Sequence, residues 1–347
     1  MAHAPDDLAA GMSRRSALTR LAWGTGVLGA TMALPERWSP FGRALAAPEL
    51  TIPVIVKDPT RPYWQAVLAG AHKAGDDLGA QIRAIGAQGE GDADGEVAAL
   101  GNALAAKPAA LVIAPGPSAA LGKAIEEAAR GAKIIAIDSA TDVTALTALV
   151  ATDNVQAGGM AADALAAAIQ RSYADAEGDV AIITAASGVA ALDERAKGFS
   201  RQLAASYGAI AIVARPVADG QAASGAKIMA ELIAAHSELR GVAALDLAMT
   251  QGAAQVLANT PNNTTGDKIN LVGFDADEGA VQFLKNGVIA GLVVRDPFRM
   301  GYEGVKAALA AARGEQVAPR TAVAATLVTK ANVGSARAQE LLAPQLR

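Results

Sequence analysis

Short apolar runs rich in β-branched residues recur through the chain, and this rhythm restricts the possible architecture more than any other feature. The runs lie at residues 52–56, 81–85, 110–114, 133–137 and 147–151, and a second series follows at 179–183, 209–214, 241–245, 269–274 and 288–294. The first of them, Ile52-Pro53-Val54-Ile55-Val56, is apolar throughout and closed by turn formers. Continuous apolarity of this kind marks a strand covered on both faces, as in a parallel sheet between helices. After that strand, Trp64, Val67, Leu68, Ala71 and Leu78 fall at helical spacing, with Pro62 suited to the first turn and Gly79 to the C-terminal cap. Strand, loop and helix in regular alternation predict an α/β fold: two doubly wound parallel-sheet lobes joined by a multi-strand hinge, with a ligand cleft between them.

The two series repeat each other in detail, which points to a duplicated architecture. Residues 52–79 correspond to 180–208, and Ile134-Ile135-Ala136-Ile137-Asp138 corresponds to Leu271-Val272-Gly273-Phe274-Asp275. An aspartate directly follows a buried strand in both. The chain is expected to cross between lobes near 152–154, 295–297 and 323–330. That assigns residues 47–152 plus 296–322 to the N-terminal lobe and 153–295 plus 323–347 to the C-terminal lobe. The glycine and aspartate run at 86–95 reads as a loop.

Residues 1–46 stand apart as a twin-arginine export signal and leader. Ser13-Arg14-Arg15 and Arg20 precede a fourteen-residue apolar stretch at 21–34, too short to cross a bilayer. Ala44-Leu45-Ala46 offers small residues for cleavage before Ala47. The expectation is a soluble, exported, periplasmic protein. The leader's five arginines and three acids, taken from 30 basic and 34 acidic residues, leave 25 and 31, a net charge of −6. That balance, with no large basic cluster after residue 47, argues against a nucleic-acid partner. The chain has no cysteine, which excludes disulfides, thiol catalysis and cysteine-based metal sites. No metal or cofactor is expected.

In open α/β sheets ligands bind beyond the carboxyl ends of the strands. Collecting the polar and aromatic residues from those places gives Arg61, Tyr63 and Trp64 after the first strand, and Asp138 and Ser139 after the fourth. The second series contributes Arg195 from its first helix, Asp246, Asp275 and Arg295. Aromatics make up only 3% of the chain, so two adjacent rings at one such junction suggest a binding wall. Arginine supplies only donors and carboxylate only acceptors, so a hydroxyl can be held by one of each. The set suits a compact polyhydroxylated ligand. Lys57 and Asp58 are further candidates from the same loop. Pairing of these arginines and aspartates with one another across the hinge is the competing reading.

The order and spacing of 52–64, Ile137-Asp138-Ser139, Thr152-Asp153-Asn154-Val155, Arg195-Ala196-Lys197-Gly198-Phe199 and Gly273-Phe274-Asp275 resemble the periplasmic ribose-binding protein family, the type I sugar-binding components of ABC importers. The resemblance covers residues 50–330. It implies a monomeric two-lobed protein that closes on a monosaccharide and delivers it to the transmembrane subunits of an ABC permease. By position, Tyr63 and Trp64 match the family's sugar-stacking aromatics, and Asp138, Arg195 and Asp275 its hydroxyl-binding charges. Arg61, Ser139, Asp246 and Arg295 depart from the ribose binders, which have asparagine, arginine, asparagine and glutamine there. Those departures put ribose itself in doubt and leave a sugar, an amino sugar, an acidic sugar or a polyol open.

A glycosidase-type enzyme using two of the aspartates is the first alternative, but the chain has neither a Gly-x-Ser-x-Gly elbow nor a Gly-Lys-Ser/Thr phosphate loop. A sugar-responsive repressor would need a helix-turn-helix where the leader lies. A sensor role through a chemoreceptor is compatible with the transport reading.

Overall fold

The computed structural model describes residues 50–343 apart from 90, 188 and 261–266, all within one compact unit spanning Pro48–Arg347. The export signal expected at 1–46, with Arg14, Arg15 and the Ala46–Ala47 junction, lies outside the described residues.

The chain begins with β1 (Leu50–Val56), α1 (Pro62–Leu78), β2 (Ala80–Gly86), α2 (Ala93–Leu104), β3 (Ala110–Ile113), α3 (Ala119–Ala128), β4 (Lys133–Ile137) and β5 (Ala148–Thr152). It continues with α4 (Asn154–Tyr173), β6 (Gly178–Ile183), α5 (Ala190–Ser206), β7 (Ile210–Ala214), α6 (Ala222–Ala235), β8 (Leu239–Ala244), α7 (Leu247–Ala258), β9 (Asn270–Phe274), α8 (Glu278–Lys285) and β10 (Ile289–Val294). The last elements are α9 (Pro297–Ala312), β11 (Arg320–Val323), β12 (Thr326–Val328) and α10 (Ala336–Leu342).

These strands form two six-stranded sheets, ordered β11-β5-β4-β3-β1-β2 and β12-β10-β9-β8-β6-β7. The orders are the same once the second series is aligned on the first, so the repeat seen in the sequence is a repeat of topology. Every pairing is parallel except β10 with β12, which is antiparallel. In each sheet the connections reverse direction between two neighbouring strands, β1 and β3 in the first and β6 and β8 in the second. A crevice at the carboxyl end of such a pair is the usual ligand position of a doubly wound sheet.

Both faces of both sheets are covered, which is why the strands are apolar throughout. α1 and α9 pack on one face of the first sheet, around Ile52, Val54, Val67, Val112, Ile137 and Met300, and the opposite face meets α2 and α3 through Leu100, Leu121 and Ile125. The second sheet is covered by α4 and α5 through Leu165, Ile169 and Phe199, and by α6, α7 and α8 through Met229, Met249 and Leu284.

Three segments join the sheets. β5 belongs to the first and leads into α4, which packs on the second; β10 belongs to the second and leads into α9, which packs on the first; β11 and β12 are separated by two residues and lie in different sheets. β12 pairs with the edge of its sheet although the sequence rhythm does not single it out, because three residues carry too little periodicity. The alanine-rich α4 also lies outside that rhythm.

Helix ends follow local chemistry. α1 starts with Pro62 at its first position and stops at Gly79, whose φ of 72° is the left-handed conformation that glycine adopts without a Cβ penalty. The 86–95 segment, expected as a loop throughout, already contains the start of α2, because the Asp92 side chain accepts a hydrogen bond from Gly95 N and caps the helix.

Candidate functional site

Asp138 and Asp275 occupy equivalent places, immediately after β4 and β9, and both take a left-handed backbone with φ of 70° and 60°. Each amide still reaches the neighbouring strand, Asp138 N to Val150 O and Asp275 N to Val293 O. The chain therefore turns sharply just past the last ladder bond, and aspartate is among the few residues besides glycine that tolerate this region. The sharp turn sets both carboxylates at the carboxyl edges of their sheets.

Arg295, one residue past β10, joins them. Its Nε and Nη2 donate to Asp275 Oδ1 and Oδ2 at 2.8 and 2.7 Å, a bidentate pair. Its Nη1 donates to Asp138 Oδ1 at 3.0 Å and to Tyr63 Oη at 3.1 Å, and the guanidinium lies over the Tyr63 ring at 4.4 Å. Tyr63 donates in turn to Asp138 Oδ1 at 2.9 Å. Lys57 reaches Asp138 Oδ2 and Ser139 Oγ, both at 3.2 Å. The side chains of Lys57, Asp138, Arg295 and Asp275 are only 11–16% exposed.

Burial pushes the Asp138 carboxyl up, but Lys57 and Arg295 outweigh it and hold the group well below the ordinary carboxylate range. Asp275 is lowered in the same way, with burial opposed by Arg295. Burial drives the Tyr63 phenol well above its ordinary value. For Arg295 burial acts against the charge, and Asp275 and Tyr63 more than compensate. These groups thus form a charged network from both sheets.

Arg195 and Asp246 make a second arrangement beside it. Arg195 is only 2% exposed. Its Nε donates to Asn154 Oδ1 at 3.0 Å and its Nη1 to Leu245 O at 2.6 Å, with the guanidinium 4.6 Å from the centre of the Phe274 ring. Helix packing sets its position: a Cβ on Gly158 would meet Arg195 O at 2.0 Å, and one on Gly198 would meet Val155 O at 2.0 Å. Only glycine at both places lets α4 and α5 approach closely enough for Asn154 to receive Arg195. Burial, then repulsion from Arg295, lowers the guanidinium to about 10.

Asp246 caps α7, its Oδ1 accepting from Met249 N at 3.1 Å. Its Oδ2 is buried and has no hydrogen-bond partner. Burial raises this carboxyl above its ordinary value despite the Met249 amide and the Arg195 charge.

The structure thus brings Tyr63, Asp138, Ser139, Asp275 and Arg295 into one network and sets Arg195 and Asp246 beside each other at the carboxyl ends of β6 and β8. Arg61 stands apart: its side chain is 61% exposed and its Nε lies 3.5 Å from Asp58 Oδ2. Trp64 is 2% exposed and meets Tyr63 edge to face at 4.9 Å. Asp58 accepts from Thr60 N and Thr60 Oγ1 and so orders the turn after β1. Residue-by-residue reading did not single out Asn154 as a site residue, although Thr152-Asp153-Asn154-Val155 carried part of the family resemblance and marked an expected crossing. Among the described residues no group of three or more histidines, aspartates or glutamates is placed to hold a metal ion.

Two doubly wound sheets linked by three crossings, with charged strand ends meeting between them, define the class of two-lobed binding proteins. The chain belongs to the periplasmic binding protein domain family, whose model matches residues 52–316. Ribose import binding proteins are similar along most of their length. That of Bacillus subtilis is 25% identical over 284 residues, 82% of this chain and 88% of the relative, and that of Escherichia coli 26% over 281 residues, 81% and 90%. Among solved structures, a carbohydrate transporter solute-binding protein from Agrobacterium radiobacter, in complex with D-arabinose, is 48% identical with a TM-score of 0.77, covering 85% of this chain and 99% of that one. An ABC transporter solute-binding protein from Agrobacterium vitis, bound with α-D-tagatopyranose, is 27% identical with a TM-score of 0.75 and the same coverage. The family consists of substrate-binding proteins. Among the described residues no helix is long and apolar enough to cross a membrane.

Proposed function

We propose that this chain is the exported sugar-binding component of an ABC importer, which holds a monosaccharide or a related polyhydroxylated molecule between its two sheets and presents it to the transmembrane subunits. The observation that carries this reading is the meeting of Asp138 from the first sheet with Asp275 and Arg295 from the second. A ligand that exchanges hydrogen bonds with both edges favours the arrangement in which the lobes, 47–152 plus 296–322 and 153–295 plus 323–347, lie together. Tyr63, Asp138, Ser139, Arg195, Asp246, Asp275 and Arg295 are the polar contacts in this reading, with Trp64 beneath Tyr63 and Arg61 at the rim. The D-arabinose and tagatopyranose held by the structural relatives support a sugar. The twin arginines Arg14 and Arg15 and the small residues at 44–46 support export and cleavage before Ala47. Binding without turnover, a monomeric state and docking of the closed form on a permease belong to the same reading.

The test is a thermal-shift screen of the purified protein against pentoses, hexoses, sugar acids, amino sugars and polyols, with calorimetric titration of any hit. A ligand at a hundred times its dissociation constant stabilises by about 2.7 kcal/mol, a clear shift in melting temperature. Sugar binding without product formation is the expected result, and a flat screen across all these classes overturns the reading.

A further inference from the structure

Arg295 and Asp296 turn to different partners where the chain leaves the second sheet for the first. Arg295 reaches Asp138 of the first sheet at 3.0 Å, whereas Asp296 reaches the last helix: its Oδ2 accepts from Arg337 Nη2 of α10 at 2.9 Å. Asp296 is only 2% exposed, and its Oδ1 accepts from Arg299 N at 2.9 Å and caps α9. Asp296 O also accepts from Met300 N at 3.0 Å, closing the first turn of that helix. Asp296 is therefore built into α9, which packs on the first sheet through Met300, Val305 and Leu309. α10 belongs to the other side. Its Ala338 and Leu341 are buried in the core of the second sheet with Leu284, Ile289 and Val328, and Ser335 caps it. The Arg337–Asp296 pair thus runs from one lobe to the other at the crossing, and it uses none of the residues assigned to the sugar.

Because two bonds fix Asp296 to α9, the backbone change of a hinge motion falls on the residues before it. Asp296 then moves with the first lobe and Arg337 with the second, so their pair is made in one arrangement and stretched in another. It is made where Arg295 meets Asp138. Glu340 Oε2, 3.3 Å from Arg337 Nη1, gives the guanidinium a carboxylate to keep when Asp296 withdraws.

We infer that Arg337 is a positioning residue for lobe closure: through Asp296, the C-terminal helix biases the hinge towards the arrangement in which the lobes meet, and so scales the affinity for every ligand held between them by one common factor. The effect on affinity rests on the sugar-binding reading above, while the effect on the lobes stands apart from it. A residue that touches no ligand changes affinity through the fraction of protein in the binding arrangement, and that fraction is the same for each ligand.

The experiment compares the wild-type protein with Arg337→Ala, Arg337→Lys and Asp296→Asn, the last of which keeps the cap on α9 and drops the charge. The chain has no cysteine, so Glu126→Cys on α3 and Gln255→Cys on α7, exposed positions on opposite lobes, carry a unique pair of spin labels. Without ligand, the distance between the labels is expected to lengthen in Arg337→Ala and Asp296→Asn and to return towards the wild-type distribution in Arg337→Lys. Titration with D-arabinose, D-ribose and D-tagatose is expected to show Arg337→Ala binding about fivefold or more weakly, by the same factor for every sugar that the wild-type protein binds. An unchanged distance in Arg337→Ala overturns the inference. So does a change that Arg337→Lys fails to reverse and Asp296→Asn fails to reproduce, which assigns it to loosening of α10. If sugars bind but their losses differ from one another by more than about threefold, the common factor is overturned. If the wild-type protein binds none of the sugars while the distances change as expected, the functional reading falls and the hinge tie stands.

Discussion

Arg295 Nη1 donates to Asp138 Oδ1 at 3.0 Å, and these residues, 157 positions apart, follow strands of different sheets. The same guanidinium grips Asp275 of its own sheet through two nitrogens. One side chain therefore compensates two carboxylates that would otherwise face each other across the junction, and it joins the sheets directly as well as through the three chain crossings.

Removing that side chain takes from Asp275 its main compensating charge and leaves Asp138 with Lys57 as its paired cation. Arg295→Ala is expected to lower stability by about 3 kcal/mol, in the range found when one member of a buried pair is deleted. Chemical denaturation of the wild-type and variant proteins checks this. An unchanged midpoint would show that Lys57 and Arg195 suffice to hold Asp138 and Asp275.

Acid should attack the same network. Burial raises Asp138 and Asp275, but the cations prevail and both carboxyls sit below their ordinary value. An unfolded aspartate takes up its proton near pH ~3.9, so the unfolded chain binds protons before the folded one as pH falls. The stabilisation is complete above that value and is lost as pH drops below it, towards the folded values. Melting temperature measured across pH is expected to fall steeply below about pH 4, and the Asp138→Asn, Asp275→Asn double variant should show a shallower fall. An equally steep acid limb in the double variant would assign the effect to other carboxylates.

Asp246 has the opposite sign. Burial raises its carboxyl, so its charge costs stability at neutral pH and the cost is relieved as pH falls through the raised value. Asp246→Asn keeps the helix cap and removes the charge, and without ligand it is expected to gain about 1 kcal/mol at pH 7. Thermal unfolding in the absence of sugar measures the gain. A loss of stability would mean that the Asp246 charge is fully compensated by the α7 amides and Arg195.

The approach of α4 and α5 gives a prediction away from the charges. A Cβ at position 198 would meet Val155 O at 2.0 Å, so Gly198→Ala must push the helices apart. The expected cost is about 1–3 kcal/mol, typical of overpacking. Because α5 carries Arg195 and α4 carries Asn154, sugar affinity should fall as well. Denaturation and calorimetric titration of the same variant separate the two effects; full affinity at reduced stability would show that Arg195 keeps its place without the close approach.

Much of this was legible from the amino acids alone because the signals are local. Continuous apolar runs demand strands covered on both faces, Pro62 and Gly79 bound the first helix, and the aspartates after β4 and β9 mark the turns that close them. The likeness of the two series announced the repeated topology. Short elements such as β12, and the uniformly alanine-rich α4, carry too little pattern to be found in this way.

Which charges meet was decided by the tertiary structure. The sequence placed three arginines and three aspartates at strand ends, but it could not distinguish Arg295, locked between two carboxylates, from Arg195, held by an amide and a carbonyl, or from Arg61, mostly in solvent. Pairing across 157 positions depends on how two sheets are set against each other, and the places of Arg195 and Asp246 depend on the helix contacts and the helix cap that hold them. Residue type and strand position determined the chemistry available to the site, and packing determined which part of it is spent within the protein and which is left for a ligand.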